Sequence, residues 1–588
     1  MRKTRITSAL SLSAVAALAL SACASTDSGS SASGDSSADS SKSASIAITN
    51  VFSSLNSETA VGNSDTNSMI SAMTSRGFYT VTDEFDIRHN DWFGSYDMTE
   101  EGEGMKVAYK VNDDQKWSDG NDIDKGDLLL AWAAYSGYFN GEGEEGVTFF
   151  DYAGDTAGLG EAGMPELGED GRSITFTYPK AFADWESAFN ITTTPAHVVA
   201  DLAGLDEDTL VETLENATPG EENENLQKIA DAWNTGFNTT TMPDNEALAV
   251  GNGPYLVTDV VENQSITLTA NENYQGDTKP AIGEVVLRVN GDASSQVQAL
   301  KNGEVDAVAP QASVDTISQL QDLENTTTTV QPDQSYDHLD LNMVSGGVFE
   351  DKDVREAFLL TVPRQQILDS LIKPMDPEAE VLNSQLYVAS DTENYDDAVS
   401  KNNSDMYPSD DIDANIEKAK ELLDGKTPTV RILYNTANPN RVNSFAMIQE
   451  SASKAGFDVV DAGTEQWSSL LPTGKDGGYD ASIYGWVSSG IGNSFLGQIF
   501  KEGSSSNYTS YSNDIVNANA DEIMVTLDQA RIEELKKEAD GEIFKDAYGL
   551  PLFQSIAVTS YNSDLTGVKP KPGQYPLTWN IEEWDFAA

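Results

Sequence analysis

Two apolar periodicities alternate along this chain. Residues Met105–Val111 and Ser173–Tyr178 carry apolar side chains at every second position, the period of a half-buried strand. Ile46-Ala47-Ile48 and Val51-Phe52 read as strand where ordered chain begins, and Asp124 caps a helix through Asp127, Leu128, Leu129, Leu130, Ala131 and Trp132. Gly251-Asn252-Gly253-Pro254-Tyr255 is a tight turn leading into strands at Leu256-Val257 and 265–269. A βαβ pattern follows, with a strand at 285–289, a helix through Val297 and Leu300 that stops at Gly303, and a strand at 305–308. Further on, helices are predicted around Val354, Ala357 and Phe358 and around Ile416, Ala419 and Leu423. The strand 429–433, a helix ending at Gly456, the strand 457–460 and the segment 479–486 come next. A charged amphipathic helix from about Ala520 to Asp540 precedes the apolar run 550–554. Alternating strands and helices predict parallel sheet, and two such groups predict two α/β lobes.

The intervals between these patterns differ in kind. Residues 140–171 are rich in Gly and Glu and read as loop or insertion, interrupted by the aromatic knot Phe149-Phe150-Asp151-Tyr152. Residues 206–233 have helical spacing but are strongly acidic, which predicts a solvated periphery. Residues 24–45 mix Ser, Gly, Ala and Asp without apolar period and predict a flexible linker. Ahead of them stand a basic head (Arg2, Lys3, Arg5), an apolar run of about fifteen residues and Leu20-Ser21-Ala22-Cys23. That run is shorter than the roughly 20 residues of a spanning helix, and the layout is that of a secretory signal.

Composition narrows the function. The chain has 588 residues, enough for two or more lobes with sizeable cores, and its 35 Lys+Arg against 96 Asp+Glu give a net charge of −61. Such a surface repels nucleic acid and favours cationic or neutral ligands, although acidity alone also serves solubility. Cys23 is the single cysteine, so no disulfide can form within the chain. His89, His197 and His338 are widely separated without metal-ligand spacing, and neither a Gly-x-Ser-x-Gly elbow nor a phosphate-binding loop is present. No enzyme, cofactor or metal is expected.

Several motifs in a fixed order carry a resemblance. They are Lys116-Trp117-Ser118-Asp119-Gly120, Gly251 to Tyr255, Asn271-Glu272-Asn273-Tyr274, Leu300-Lys301-Asn302-Gly303-Glu304-Val305-Asp306, Phe349 to Ala357, Ala419 to Leu423, Tyr479-Asp480 and Tyr484-Gly485-Trp486. This order resembles the family 5 solute-binding proteins of ABC importers, which take peptides, nickel and some sugars, and Leu20 to Cys23 resembles a bacterial lipobox in which Cys23 is lipidated. The resemblance implies an α/β, two-lobed periplasmic-binding-protein-like fold of type II with an extra subdomain and a hinge. It divides the chain into a signal (1–22), a linker (23–45), lobe I (46–335) with the extra subdomain at about 85–245, lobe II (336–550) and a return to lobe I (551–588). The hinge crossings are expected near 336–342 and 550–555.

The resemblance also implies ligand contacts from Phe52, Ser53 and Ser54 on one side and Gly485, Trp486 and Val487 on the other. Trp486 is the best single candidate, because its face can lie along a peptide or sugar while the indole N–H finds an acceptor; the other reading is a core tryptophan. Ser489 stands where peptide-binding members commonly carry an aspartate for the ligand's α-amino group, and a hydroxyl cannot supply that charge-assisted bond. Asp340 is either a substitute acidic contact or a strand-end residue, and Asn342 matches an often-present hinge asparagine. Ser494-Phe495-Leu496, Asn507 and Tyr508 are expected to wall the pocket, with Tyr152 either closing it or anchoring the insertion. The function implied is a monomeric receptor, tethered by lipid to the outer face of the cell membrane, that captures oligopeptides and delivers them to an ABC permease and ATPase. An oligosaccharide or other polar solute on the same fold, or a regulatory role in the cell envelope, is the alternative.

Overall fold

The computed structural model describes residues 38–141, 147–156, 158–487, 491–573 and 577–587. The signal, Cys23 and Ser489 lie outside the described residues. Ten strands form one continuous sheet, numbered in chain order: β1 (Asp39–Ile48), β2 (Tyr255–Val261), β3 (Ser265–Ala270), β4 (Ile282–Val289), β5 (Ala307–Val308), β6 (Thr326–Leu341), β7 (Thr429–Tyr434), β8 (Asp458–Asp461), β9 (Ala481–Val487) and β10 (Gly549–Asn562). Across the sheet they run β8-β7-β9-β6-β10-β5-β1-β4-β3-β2.

The two longest strands join the two halves. β6 and β10 pair antiparallel from Thr326 opposite Asn562 to Asp340 opposite Gly549. Beyond that shared ladder, β10 pairs β5 at Tyr561 and Ser560, whereas β6 pairs β9 from Ser335 to Leu341. The β6–β10 register slips between Pro332 and Tyr336, where proline has no N–H to give to the ladder. β6 and β10 cover 336–341 and 550–555, the segments where the resemblance implies crossings, and both extend beyond them.

One core is confined to lobe I, and a second runs from lobe II into lobe I through Val297, Leu300 and Val308. In lobe I, Ile46, Ile70, Val285 and Trp584 pack together; in lobe II, Leu339, Phe358, Ile432 and Ile448 do so. A four-stranded antiparallel sheet made by Gly94–Glu100, Met105–Val111, Ser173–Tyr178 and Glu166–Leu167 forms the extra subdomain with the helix Lys125–Ser136. That helix is apolar on all sides and buried from Gly126 onward. Asp124 and Asp127 form a reciprocal capping box at its start, and Asp127 also accepts from Trp117 Nε1 (3.2 Å) and the Ala196 N–H (2.8 Å). Burial pushes the Asp127 carboxyl up to about 6. The Trp-Ser-Asp-Gly motif is therefore one half of this cap.

The Gly251–Gly253 turn is equally specific. A Cβ on either glycine would stand 2.4 Å from a backbone carbonyl oxygen, of Thr74 or Met73 respectively. Between them the Asn252 side chain accepts from the Arg76 N–H (3.0 Å) and donates to the Arg76 carbonyl (2.7 Å).

Three expectations change. β1 begins at Asp39, so the polar run 39–45 assigned to the linker is strand, held against β4 from Ser43 onward. The helix expected over 520–540 is two helices, Asp514–Met524 and Gln529–Lys545; β-branched Val525 and Thr526 lie at the break, and Asp528 caps the second helix through the Ala530 N–H. The acidic stretch 206–233 is not peripheral: its helices Glu207–Asn216 and Glu224–Thr235 insert Leu210, Leu214, Ile229 and Trp233 into the subdomain core.

Candidate functional site

The second-lobe wall is built on β9, which carries Trp486 within an aromatic cluster. Trp486 is half-buried, its ring parallel to His338 (centroids 6.0 Å apart) and Tyr508 (6.4 Å) and edge-on to Tyr484 (5.3 Å) and Phe495 (6.5 Å). Gly485 is required beside it, because a Cβ there would lie 2.8 Å from Asp337 Oδ1. Asp337 is itself held by two 3.0 Å bonds from Arg441. Val487 sits opposite Ser335 on β6.

Beneath Trp486 lies a polar core without solvent access. Asp340 accepts from His338 Nδ1 (2.7 Å) and from the hydroxyls of Tyr484 and Tyr548 (2.9 Å each). Asp340 and His338 are both 0% exposed. The acid expected as a ligand contact is thus turned inward and satisfied, and through His338 it underlies the Trp486 ring. Asn342 is also internal: its Nδ2 donates to the carbonyls of Gly474 (2.7 Å) and Tyr479 (2.9 Å).

The first-lobe candidates are tied into their own lobe. Phe52 belongs to the lobe I core. Asn67 Oδ1 accepts from the N–H groups of Ser53 (3.2 Å) and Ser54 (3.4 Å), and the Ser53 carbonyl accepts from Thr239 (3.0 Å). The main-chain groups of Ser53 and the Ser54 N–H are thus committed, and among the described residues no hydrogen bond or ring contact joins 52–54 to 485–487. The structure brings Gly485, Trp486, Val487, Asp340 and Asn342 to one region and leaves Phe52, Ser53 and Ser54 outside it.

A cavity of about 350 Å³ opens instead between lobe I and the extra subdomain, lined by Glu58, Tyr79, Tyr135, Tyr152, Asn190 and Thr193 among others. The rings of Tyr135 and Tyr152 lie 4.7 Å apart between centroids, tilted by 35°. Glu58 Oε1 accepts from the Tyr135 hydroxyl (2.6 Å) and Oε2 from Thr192 Oγ1 (2.8 Å). Loss of water pushes the Glu58 carboxyl up to about 7 against those hydrogen bonds. Sequence reasoning reached Tyr152 but missed Glu58, one of 96 acidic residues with no local motif to mark it.

The subdomain also reaches the second lobe. Asp184 accepts from the N–H and Nδ2 of Asn493 (2.8 Å each), the Ala183 N–H donates to the Met524 carbonyl (2.9 Å) and Gln498 Nε2 donates to Asp155 (2.9 Å). Burial raises the Asp184 carboxyl. Among the described residues no three His, Cys, Asp or Glu side chains gather as metal ligands.

Two lobes on a shared pair of crossing strands, an aromatic shelf at the crossing and a subdomain bridging the mouth define a receptor for small solutes. Comparison with known proteins supports this class at three levels. The family profile described as Bacterial extracellular solute-binding proteins, family 5 Middle, matches residues 92–507. An uncharacterized lipoprotein of Mycobacterium tuberculosis is 25% identical over 550 residues, covering 90% of this chain and 91% of that one. The oligopeptide-binding protein OppA of Mycobacterium bovis is 24% identical over 527 residues, covering 86% and 78%. Among solved structures, the periplasmic EDTA-binding protein EppA shares the fold with a TM-score of 0.78 at 19% identity, covering 94% of this chain and 98% of that one. The chain belongs to the bacterial extracellular solute-binding proteins of family 5, the binding components of ABC importers, and the family is one of binding proteins rather than enzymes.

Proposed function

We propose that this protein captures oligopeptides between its lobes at the outer face of the cell membrane, held there by lipid on Cys23, and hands them to an ABC permease driven by its ATPase. The observation that carries the reading is Trp486, a half-buried ring on β9 whose orientation is fixed by His338, Tyr484 and Tyr508. Such a face offers apolar area at low entropic cost to a bound chain, and Gly485 and Val487 flank it. Similarity to OppA supports the peptide class, and similarity to a lipoprotein supports the tether. The hinge is the β6–β10 pair at its register slip, where a strand pair interrupted at Pro332 bends most easily. Closure is driven by contacts that exist only when ligand bridges the lobes.

Native mass spectrometry of the mature protein purified gently from its own host tests this. Peptide-sized adducts of varied mass are expected. Hexose-spaced adducts, or a single small polar solute, would replace the peptide reading with the polar-solute one.

A further inference from the structure

The Glu58 cavity is a built site that the Trp486 shelf does not explain. Its carboxylate is gripped at both oxygens, by Tyr135 and Thr192, with a third, longer bond from the Thr193 N–H at 3.5 Å. A carboxylate has about four acceptor positions, so Glu58 keeps capacity. No Lys, Arg or His lies within ion-pair distance of it among the described residues. Arg76 lines the same cavity, but its guanidinium is taken up by the carbonyls of Ala72, Ser75 (3.0 Å) and Trp579 (3.3 Å) and by Glu582 (2.7 Å). The Thr193 hydroxyl in the cavity wall is buried without a partner. A rigid carboxylate without an ion pair, beside the tilted rings of Tyr135 and Tyr152, is costly for the empty protein, and that cost is removed by a ligand of opposite charge.

We infer that this cavity receives a cationic group of the ligand, an ammonium or a guanidinium, with Glu58 as its counter-charge and Tyr135 and Tyr152 as the aromatic wall. The inference rests on the peptide reading and deepens it: the cation is the peptide's α-amino group or a Lys or Arg side chain. It also supplies from the first lobe the acid that Ser489 does not supply from the second. The chemistry fits on three counts. An ammonium has three donors and a guanidinium five, enough for Glu58 and the idle Thr193 hydroxyl. Tyrosine faces attract a desolvated cation. The volume lies at the lower end of the roughly 300–1,000 Å³ of small-molecule sites, which suits one end of a ligand rather than all of it. An anionic ligand group would meet an unscreened carboxylate here and is rejected.

The test uses the full chain and two pools of random pentapeptides, one with free and one with acetylated N-termini, with retained peptides identified by native mass spectrometry. Wild-type protein is expected to enrich free-amino, Lys- or Arg-containing members at least tenfold over acetylated members lacking Lys and Arg. Glu58→Gln is expected to lose that enrichment while still retaining peptide, and Glu58→Asp, with its carboxylate drawn back by one methylene, to lower it at least threefold. Undiminished enrichment in Glu58→Gln, or in Glu58→Asp should the glutamine variant not fold, overturns the inference, as does a wild type that retains peptides without cationic preference. A wild type that retains no peptide overturns the peptide reading instead. The cavity is then probed with butylammonium and butylguanidinium, where saturable binding lost in Glu58→Gln sustains the inference and absence of binding ends it.

Discussion

Replacing Glu58 by glutamine is expected to stabilise the ligand-free protein at pH 8. The folded protein holds the Glu58 proton more tightly than the unfolded chain does, since burial lifts the carboxyl from 4.5 to about 7. Between those two values the folded state binds more protons than the unfolded state, so stability falls as pH rises through the window. The interval from 4.5 to about 7, at about 1.36 kcal/mol for each pH unit, is worth about 3 kcal/mol in all. Most of that, about 2–3 kcal/mol, is lost between pH 5 and pH 8. Glutamine has the shape of the protonated acid and stays neutral, so the variant avoids this loss. Urea unfolding at pH 5 and pH 8 measures it: the variant's lead over wild type should widen by about 2–3 kcal/mol from pH 5 to pH 8. Asp127, Asp540 and Glu207 are also raised by burial, but they are common to both proteins and cancel in the difference. A difference that does not change with pH, or one that favours wild type at pH 8, refutes the desolvated-carboxylate account.

Three further outcomes are expected. Trp486→Ala should cost about 1–2 kcal/mol of stability, less than the 3–5 kcal/mol of a fully buried aromatic, while co-purified ligand falls at least tenfold; unfolding in thermal melts would make Trp486 a core residue. Asp184→Ala removes both bonds to Asn493, and small-angle scattering of the ligand-free variant should show a larger radius of gyration, whereas an unchanged curve means that the rim does not hold the lobes. Cys23→Ser should move the protein from the membrane fraction into the medium, and retention on membranes counts against the tether.

The motifs legible in the sequence are those whose chemistry is local. Asp124, three residues ahead of Asp127, announces a helix cap by spacing alone, and the fold adds that Asp127 also holds Trp117 and Ala196. Gly251 and Gly253 announce a turn, yet their reason, the carbonyls of Met73 and Thr74, is a contact across more than 170 residues. Strand 39–45 is invisible to apolar pattern because its side chains are mostly Ser, Lys and Asp, and its pairing with β4 is made by the backbone. The break at Val525 carries a readable signal in Asp528, a cap residue inside an amphipathic run. Trp486 is legible through its Tyr-Gly-Trp motif. Glu58 is not, since what distinguishes it is its place in a cavity without an ion-pair partner among the described residues, which only tertiary structure decides.

Asp340 and Glu58 show how two carboxylates in one acidic chain come to opposite uses. Asp340 receives three hydrogen bonds, from His338, Tyr484 and Tyr548, at 0% exposure, so its charge is spent inside the second lobe on fixing the shelf that carries Trp486. Glu58 receives comparable grip but faces a cavity, so its charge remains available. The rim contacts set how that availability is used. The part-buried bonds from Asn493 to Asp184 are each worth about 1.5–3 kcal/mol, the neutral Ala183–Met524 bond adds about 1 kcal/mol, and the exposed Gln498–Asp155 bond adds little. Ordering the rim offsets part of this gain, so closure without ligand is favoured or disfavoured by only a few kcal/mol. A ligand that engages the two lobes at once needs only a differential affinity of that size to move the balance. Placing the counter-charge in the first lobe and the aromatic shelf in the second makes one extended ligand, cationic at one end, able to supply it.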